Sequence, residues 1–214
     1  MPMIRLEWYL KDPCRMLSIP YYKYIRQPYP DHVNICHQQD AGDDVYPDTR
    51  RYFRLIHHLQ DILDTGHDKV NLRLVDPLTE LPLVAEIINA CYQDIQVDLG
   101  QVTNWTKEAV YRDSLWWMAE DRQSHKPMGL GIAVYDEMAR EGALEWIQVL
   151  PAYKQQGVGR LLVGRLLDML SDMADFVTVS GEMDHPDSPE RLYRRCGFTG
   201  DDVWLVRRLD KKGS

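Results

Sequence analysis

EGALEWIQVLPAYKQQGVGRLLVGRLLDMLSDM, residues 141–173, divides into three parts of different chemistry. Residues 143–149 carry β-branched and aromatic side chains between Gly142 and Pro151, which predicts a short strand. Residues 151–156 are polar and predict a loop. From Val158 onward, Leu161, Leu162, Leu166, Leu167 and Leu170 recur at helical spacing, so one face of a helix turns to a core. Gly157 and Gly159 stand where loop becomes helix. The first turn of a helix has backbone N–H groups without partners, and the helix dipole puts partial positive charge there. Glycines let an anion approach that backbone closely. Lys154 and Arg160 add two cations beside the same turn. Gly-x-Gly alone does not separate an anion site from glycines that only serve the turn.

The run V-L-P-A-Y-K-Q-Q-G-V-G-R between that strand and that helix resembles the acyl-CoA loop of the GCN5-related N-acetyltransferase (GNAT) superfamily. The family pattern is Arg/Gln-x-x-Gly-x-Gly/Ala, and Lys154 stands where the family usually has Arg or Gln. Downstream, L-Y-R-R-C-G-F at residues 192–198 resembles the family's Tyr-x-x-x-Gly-Phe. The resemblance covers roughly residues 70–209. It implies an α/β fold: a mixed, mostly antiparallel sheet flanked by helices, with the strands at 141–149 and 175–180 splayed apart at one end. A bulge within residues 144–149 is expected to open the splay. Residues 69–214 would form the transferase domain, and residues 1–68 a small α+β extension of unassigned role.

Working outward, the composition fits an ordinary globular chain. Of 214 residues, 44% are apolar and 27% charged, enough for a core that needs no disulfide or metal staple. The net charge of −8 argues against nucleic-acid partners, because phosphate contacts need a basic face. Cys14, Cys36, Cys91 and Cys196 are scattered with no Cys-x-x-Cys pair, which predicts reduced thiols and no zinc site. His32, His37, His57 and His58 lie near Cys36 in sequence, but adjacent histidines on a helix diverge by about 100° and cannot share a ligand face. No metal is expected. The charged start MPMIRLEWYLKDPC and the lack of a long apolar run predict a cytoplasmic protein with no membrane partner.

Along the chain, residues 3–10 alternate (Ile4, Leu6, Trp8, Leu10) and predict a half-buried strand. Residues 12–30 are rich in Pro and Tyr and predict a stretch that is irregular or only partly ordered into elements. A short strand is expected at 31–37, an acidic loop at 41–48, and a helix at 49–63 with Asp48 or Thr49 as its cap. Strands are then expected at 70–75, 115–119, 128–135, 141–149, 175–180 and 203–209. Helices are expected from Asp76 or Thr79 to Tyr92, from Thr103 or Asn104 to Asp113, at 158–173, and from Asp187 or Ser188 to Arg195, with a frayed tail at 210–214.

The resemblance implies where the chemistry sits. Backbone groups of Ile147, Gln148 and Val149 would run beside the pantetheine arm of acetyl-CoA, with the N–H of Val149, or of a neighbour freed by the bulge, as oxyanion donor. Lys154, Gln155, Gln156, Gly157, Val158, Gly159 and Arg160 would hold its pyrophosphate. Ser188 lies near the place where many relatives carry a cofactor-contacting Asn that this chain lacks. Tyr193 matches the family's general acid, and its phenol is protonated at neutral pH. Glu145 and Glu141 are the base candidates, four apart on one strand, with Glu145 favoured as nearer the splay. The acceptor would be a primary amine on a small molecule or peptide, bound by residues 94–105, alone or with the N-terminal third folding over as a lid, in an apolar pocket of Trp105, Trp116 and Trp117. A homodimer is left open.

Two other readings compete. A dinucleotide fold needs Gly-x-Gly-x-x-Gly early in a domain, whereas here the third glycine is displaced to Gly164 and little chain follows; no Walker pattern is present. A non-catalytic acyl-CoA sensor would keep the same loop, and acceptor-dependent thiol release distinguishes it from an enzyme.

Overall fold

The computed structural model describes residues 3–26, 32–42, 49–62, 66–92 and 95–208. Among them the elements run α1 (Leu6–Tyr9), α2 (Pro13–Met16), α3 (Tyr21–Arg26), β1 (Val33–His37), β2 (Arg50–His57), β3 (Val70–Leu74), α4 (Leu81–Cys91), α5 (Leu99–Trp105), β4 (Trp116–Asp121), β5 (Pro127–Asp136), β6 (Glu141–Val149), α6 (Val158–Ser171), β7 (Phe176–Glu182), α7 (Pro189–Arg195) and β8 (Thr199–Arg208). The strands join in one sheet ordered β1-β8-β2-β7-β6-β5-β4-β3. Every pairing is antiparallel except β6 with β7. A mixed, mostly antiparallel α/β sheet flanked by helices was the expected class. Among the described residues no helix is long and apolar enough to cross a membrane.

The parallel pair decides where a site can lie. β6 and β7 pair only from Glu141 opposite Phe176 to Leu144 opposite Val179, and both strands continue past the last pair. On its other edge β6 pairs with β5 along its full length, with one register shift. Trp146 faces Ile132 and Leu144 faces Ala133, so Glu145 is the extra residue of a bulge. The bulge lies inside the window expected from the sequence, at the point where β7 departs.

The helices lock this geometry. Leu162, Leu166 and Leu170 of α6 are fully buried against the sheet. Gly142 admits that close approach, since a Cβ there would lie 2.8 Å from the Leu170 Cδ1. α4 and α5 cover the other face near the end of β6, where Trp105 of α5 stacks on Trp146 at 5.5 Å.

Two expectations fail in the N-terminal third. Residues 3–10 contain the helix α1 rather than a strand, and the alternating set is not the buried one. Tyr9 is the buried residue, while Trp8 and Leu10 are exposed. The helix expected at 49–63 is the strand β2, which lies between β7 and β8. Tyr52 pairs with Glu182 on one side and with Trp204 on the other. Two strand neighbours and burial on both faces override a local stripe that suited a helix equally well. The division expected at residue 68 therefore falls between two strands of one sheet. The helix expected from Thr103 or Asn104 to Asp113 lies instead at Leu99–Trp105, in the stretch expected as a loop, where Asp98 caps α5 in a capping box with Gln101. The acidic loop from residue 43, Asp48, Asp94 and the tail at 210–214 lie outside the described residues.

Candidate functional site

The loop after β6 turns sharply. Gln155 (φ 62) and Gly157 (φ 86) take left-handed backbone, and α6 starts directly after Gly157. As a result the backbone N–H groups from Gln155 to Arg160 find no acceptor among the described residues. They are consecutive donors at a helix N-terminus, the arrangement that binds a phosphate. Gly159 fits tightly, since a Cβ there would lie 3.1 Å from Leu192 Cδ2. Arg160 is exposed and has no ion-pair partner among the described residues. Lys154, in contrast, is engaged, with Nζ 2.6 Å from Asp187 Oδ2. His67 Nε2 lies 3.0 Å from the Gln156 carbonyl and braces the loop from outside.

The open edge of β6 faces the same way. The Leu150 N–H donates to Met128 O at 2.9 Å on the β5 side. Alternation then turns the N–H and C=O of Val149 toward the side that β7 has left. The Cys91 thiol, at the end of α4, donates to the Val149 carbonyl at 3.6 Å. Tyr92 accepts from Gln148 Nε2 at 3.1 Å. Ile147 and Val149 thus lie on the free edge, and Gln148 on the edge bonded to β5.

Tyr193 comes from α7, which begins at Pro189 after Ser188 in left-handed backbone (φ 46) and ends at Arg195, two residues before Gly197 (φ 93). Its ring packs on Phe53 at 6.0 Å and Phe198 at 5.8 Å. Its hydroxyl makes no hydrogen bond among the described residues. Burial pushes the phenol well above its ordinary pKa, so it stays protonated at neutral pH.

The two carboxylates have different settings. Glu141 is 1% exposed and accepts from Tyr9 Oη (2.7 Å), Thr178 Oγ1 (2.5 Å), Tyr21 N (3.1 Å) and Arg54 Nη2 (3.3 Å). Burial raises its carboxyl, and Arg54 with the three other donors pulls it back. It lies where β6 and β7 are still paired. Glu145, the bulge residue, accepts from Tyr22 Oη at 2.9 Å and from the Lys23 ammonium. It borders a cavity of about 160 Å³ with Trp105, Trp116, Tyr111 and Trp146 in its wall. Trp117 is not in that wall. It points to the opposite face of β4, where its Nε1 bonds Ser114 O and the Arg165 guanidinium covers its ring. A larger cavity of about 420 Å³ lies on the outer side of α6, between His67, Arg122 and Arg165, away from the splay.

Residues 112–200 match the family model described as an acetyltransferase (GNAT) domain. These residues are similar to GNAT domains. Solved structures agree in fold. A GCN5-related N-acetyltransferase from Sphaerobacter thermophilus aligns with TM-score 0.65 at 14% identity, over 75% of this chain and 52% of that one. A conserved protein of unknown function from Staphylococcus epidermidis ATCC 12228 aligns with TM-score 0.57 at 12% identity, over 97% and 82%. A chain of the NatC complex bound to Gag peptide and CoA aligns with TM-score 0.53 at 18% identity, over 66% and 99%. The chain spans about half the length of the first solved structures it matches. No curated protein matches it.

The fold thus brings Glu145, Trp105 and Trp116 to one cavity, and the free edge of Ile147 and Val149 to the loop donors. Glu141 and Trp117 lie elsewhere. Sequence reasoning missed Tyr22 and Lys23, which reach Glu145 from a Pro/Tyr-rich stretch with no periodicity to place them. It also missed Cys91 and Tyr92, whose positions at a helix end gave an apolar signal and no more.

Proposed function

We propose that this chain is an N-acetyltransferase that moves the acetyl group of acetyl-CoA to a primary amine of a small molecule or peptide, by direct attack in a ternary complex. The observation that carries this reading is the end of β6–β7 pairing at Leu144, beside a loop whose N–H groups from Gln155 to Arg160 are unclaimed among the described residues. A thioester arm needs an unpaired strand edge to lie along, and its diphosphate needs several donors at a fixed distance from that edge.

In this reading the N–H groups from Gln155 to Arg160 hold the pyrophosphate, with Arg160 adding charge. Lys154 supplies backbone and a stem, since its ammonium is bound to Asp187. Ile147 and Val149 offer their free-edge groups to the pantetheine, and the Val149 N–H polarises the acyl oxygen. Cys91 must release the Val149 carbonyl as the arm enters. Gln148 positions Tyr92. Ser188 contributes through the turn that starts α7. Glu145 takes the amine proton and Tyr193 protonates the departing thiolate. Glu141, with each oxygen already engaged, supports the strand instead. No step calls for a metal.

The NatC neighbour is described as bound to a peptide and CoA, which favours the same class of ligands here. A second reading, a non-catalytic acyl-CoA sensor, draws on Glu145 already being held by Tyr22 and Lys23. Thermal shift with acetyl-CoA and longer acyl-CoAs, then thiol release over polyamines, amino acids, aminoglycosides and peptide N-termini, separates the two. At a hundred times its Kd a ligand adds about 2.7 kcal/mol. Acetyl-CoA binding together with acceptor-dependent thiol release is expected. Binding without release leaves the sensor, and no binding removes both.

A further inference from the structure

Three facts meet at Glu145. It is the first residue of β6 beyond the last β7 pair, so a chain laid along Ile147 and Val149 ends beside it. It is the bulge residue, and it borders the aromatic cavity. Its carboxylate already holds a primary amine, the Lys23 ammonium on Oε2, while Tyr22 Oη donates to Oε1 at 2.9 Å.

We propose that Lys23 is a self-acylation site, its amine standing in the acceptor position of the transfer site. The proposal rests on the function proposed above and deepens it. α3 is fastened so that this amine is delivered and held. The Tyr21 N–H bonds Glu141, Tyr22 bonds Glu145, and Arg26 pairs with Glu108 at 2.6 Å on the cavity wall. The Lys23 ammonium also lies 5.8 Å from the centroid of the Tyr22 ring. A partly exposed ion pair alone is worth only about 0–1 kcal/mol, so fastening α3 does not require a lysine at this position. An amine held on the base within its own molecule gains the orientation that a free acceptor must obtain by binding.

The step balances with an acyl thioester as the second reactant. The Lys23 ammonium gives one proton to Glu145, which passes it to solvent. The nitrogen lone pair forms the N–C bond, the C–S bond breaks, and its electrons leave on sulfur. Tyr193 protonates the thiolate and is reprotonated by the second proton that nitrogen sheds. The products are an Nε-acyl lysine and free thiol. Free acceptors that displace Lys23 should share its chemistry: a primary amine on a flexible alkyl chain.

The test incubates the full chain with acetyl-CoA labelled in the acetyl carbonyl and follows intact mass and peptide maps. A single acetyl at Lys23 is expected, formed at a rate constant independent of protein concentration. Glu145→Gln should slow it about 10²-fold or more. Lys23→Arg, which keeps the ion pair, and Lys23→Met, which keeps the stem, should abolish it. An unmodified Lys23, label spread over surface lysines at equal rates, a rate that rises with protein concentration, or an unchanged rate in Glu145→Gln would each overturn the proposal. If acetyl-CoA still shifts the melting point and free amines still release thiol while Lys23 stays unmodified, the self-acylation alone fails. If neither occurs, the acetyltransferase reading fails and takes the proposal with it.

Discussion

Tyr193 has a nearly buried ring and a hydroxyl that bonds to nothing among the described residues, an arrangement that packing alone would not select. Phenylalanine would keep the contacts with Phe53 and Phe198. Tyr193→Phe is therefore expected to leave the melting temperature nearly unchanged while lowering kcat about 10²–10⁴-fold in a thiol-release assay. A large loss of stability with kcat retained would reassign the residue to packing. Glu141 should behave in the opposite way. Glu141→Gln leaves the Arg54 guanidinium buried without its counter-charge, and Arg54 Nε already lacks a partner among the described residues. Urea unfolding should show a loss of about 3–5 kcal/mol, with kcat at permissive temperature little altered. At this scale the sequence was partly legible. The loop donors and Tyr193 follow from short motifs whose geometry is local. The roles of Glu141 and Glu145 did not, because alternation assigns a face without saying which side chain meets it, and Arg54, Tyr9 and Lys23 come from distant segments.

Among elements, the bulge in β6 and the early departure of β7 create the site, and both depend on how closely β5 lies against β6. Gly129 sets that approach: a Cβ there would fall 2.5 Å from the Gln148 carbonyl oxygen and 3.3 Å from Val158 Cγ1. Gly129→Ala should push β5 from β6 beside the free edge. The expected result is a stability loss of about 1–3 kcal/mol and a raised KM for acetyl-CoA, with kcat largely kept, read from steady-state kinetics at saturating acceptor. An unchanged KM would show that the edge tolerates the shift. Most elements from residue 70 onward were legible because hydrophobic period and Gly/Pro punctuation agreed there, whereas α5 was expected at 103–113 and lies at Leu99–Trp105. β2 was not, since Phe53, Ile56 and Leu59 fit a helical stripe as well as a strand, and the strands that settle the matter are β7 and β8 at the far end of the chain.

For the whole molecule, the placement of β2 means that the sheet closes only with a strand from the N-terminal third. Residues 69–214 expressed alone should melt without a cooperative transition and bind a hydrophobic dye. A peptide of residues 49–62 supplied in trans should restore a sharp transition by adding the missing strand. A cooperative melt of the shorter chain by itself would show that β7 and β8 can join directly. The same placement bears on synthesis. Arg54 and Ser180, bonded in the finished sheet, stand 126 residues apart, so at about 5–20 residues per second β2 waits roughly 6–25 s on the ribosome before β7 is even made. Throughout that interval Phe53 and Leu55, buried once folding ends, have neither of their strand neighbours, β7 and β8. Production of this protein should accordingly depend on chaperones that shield nascent chains, and slowing translation should increase the fraction lost to aggregates.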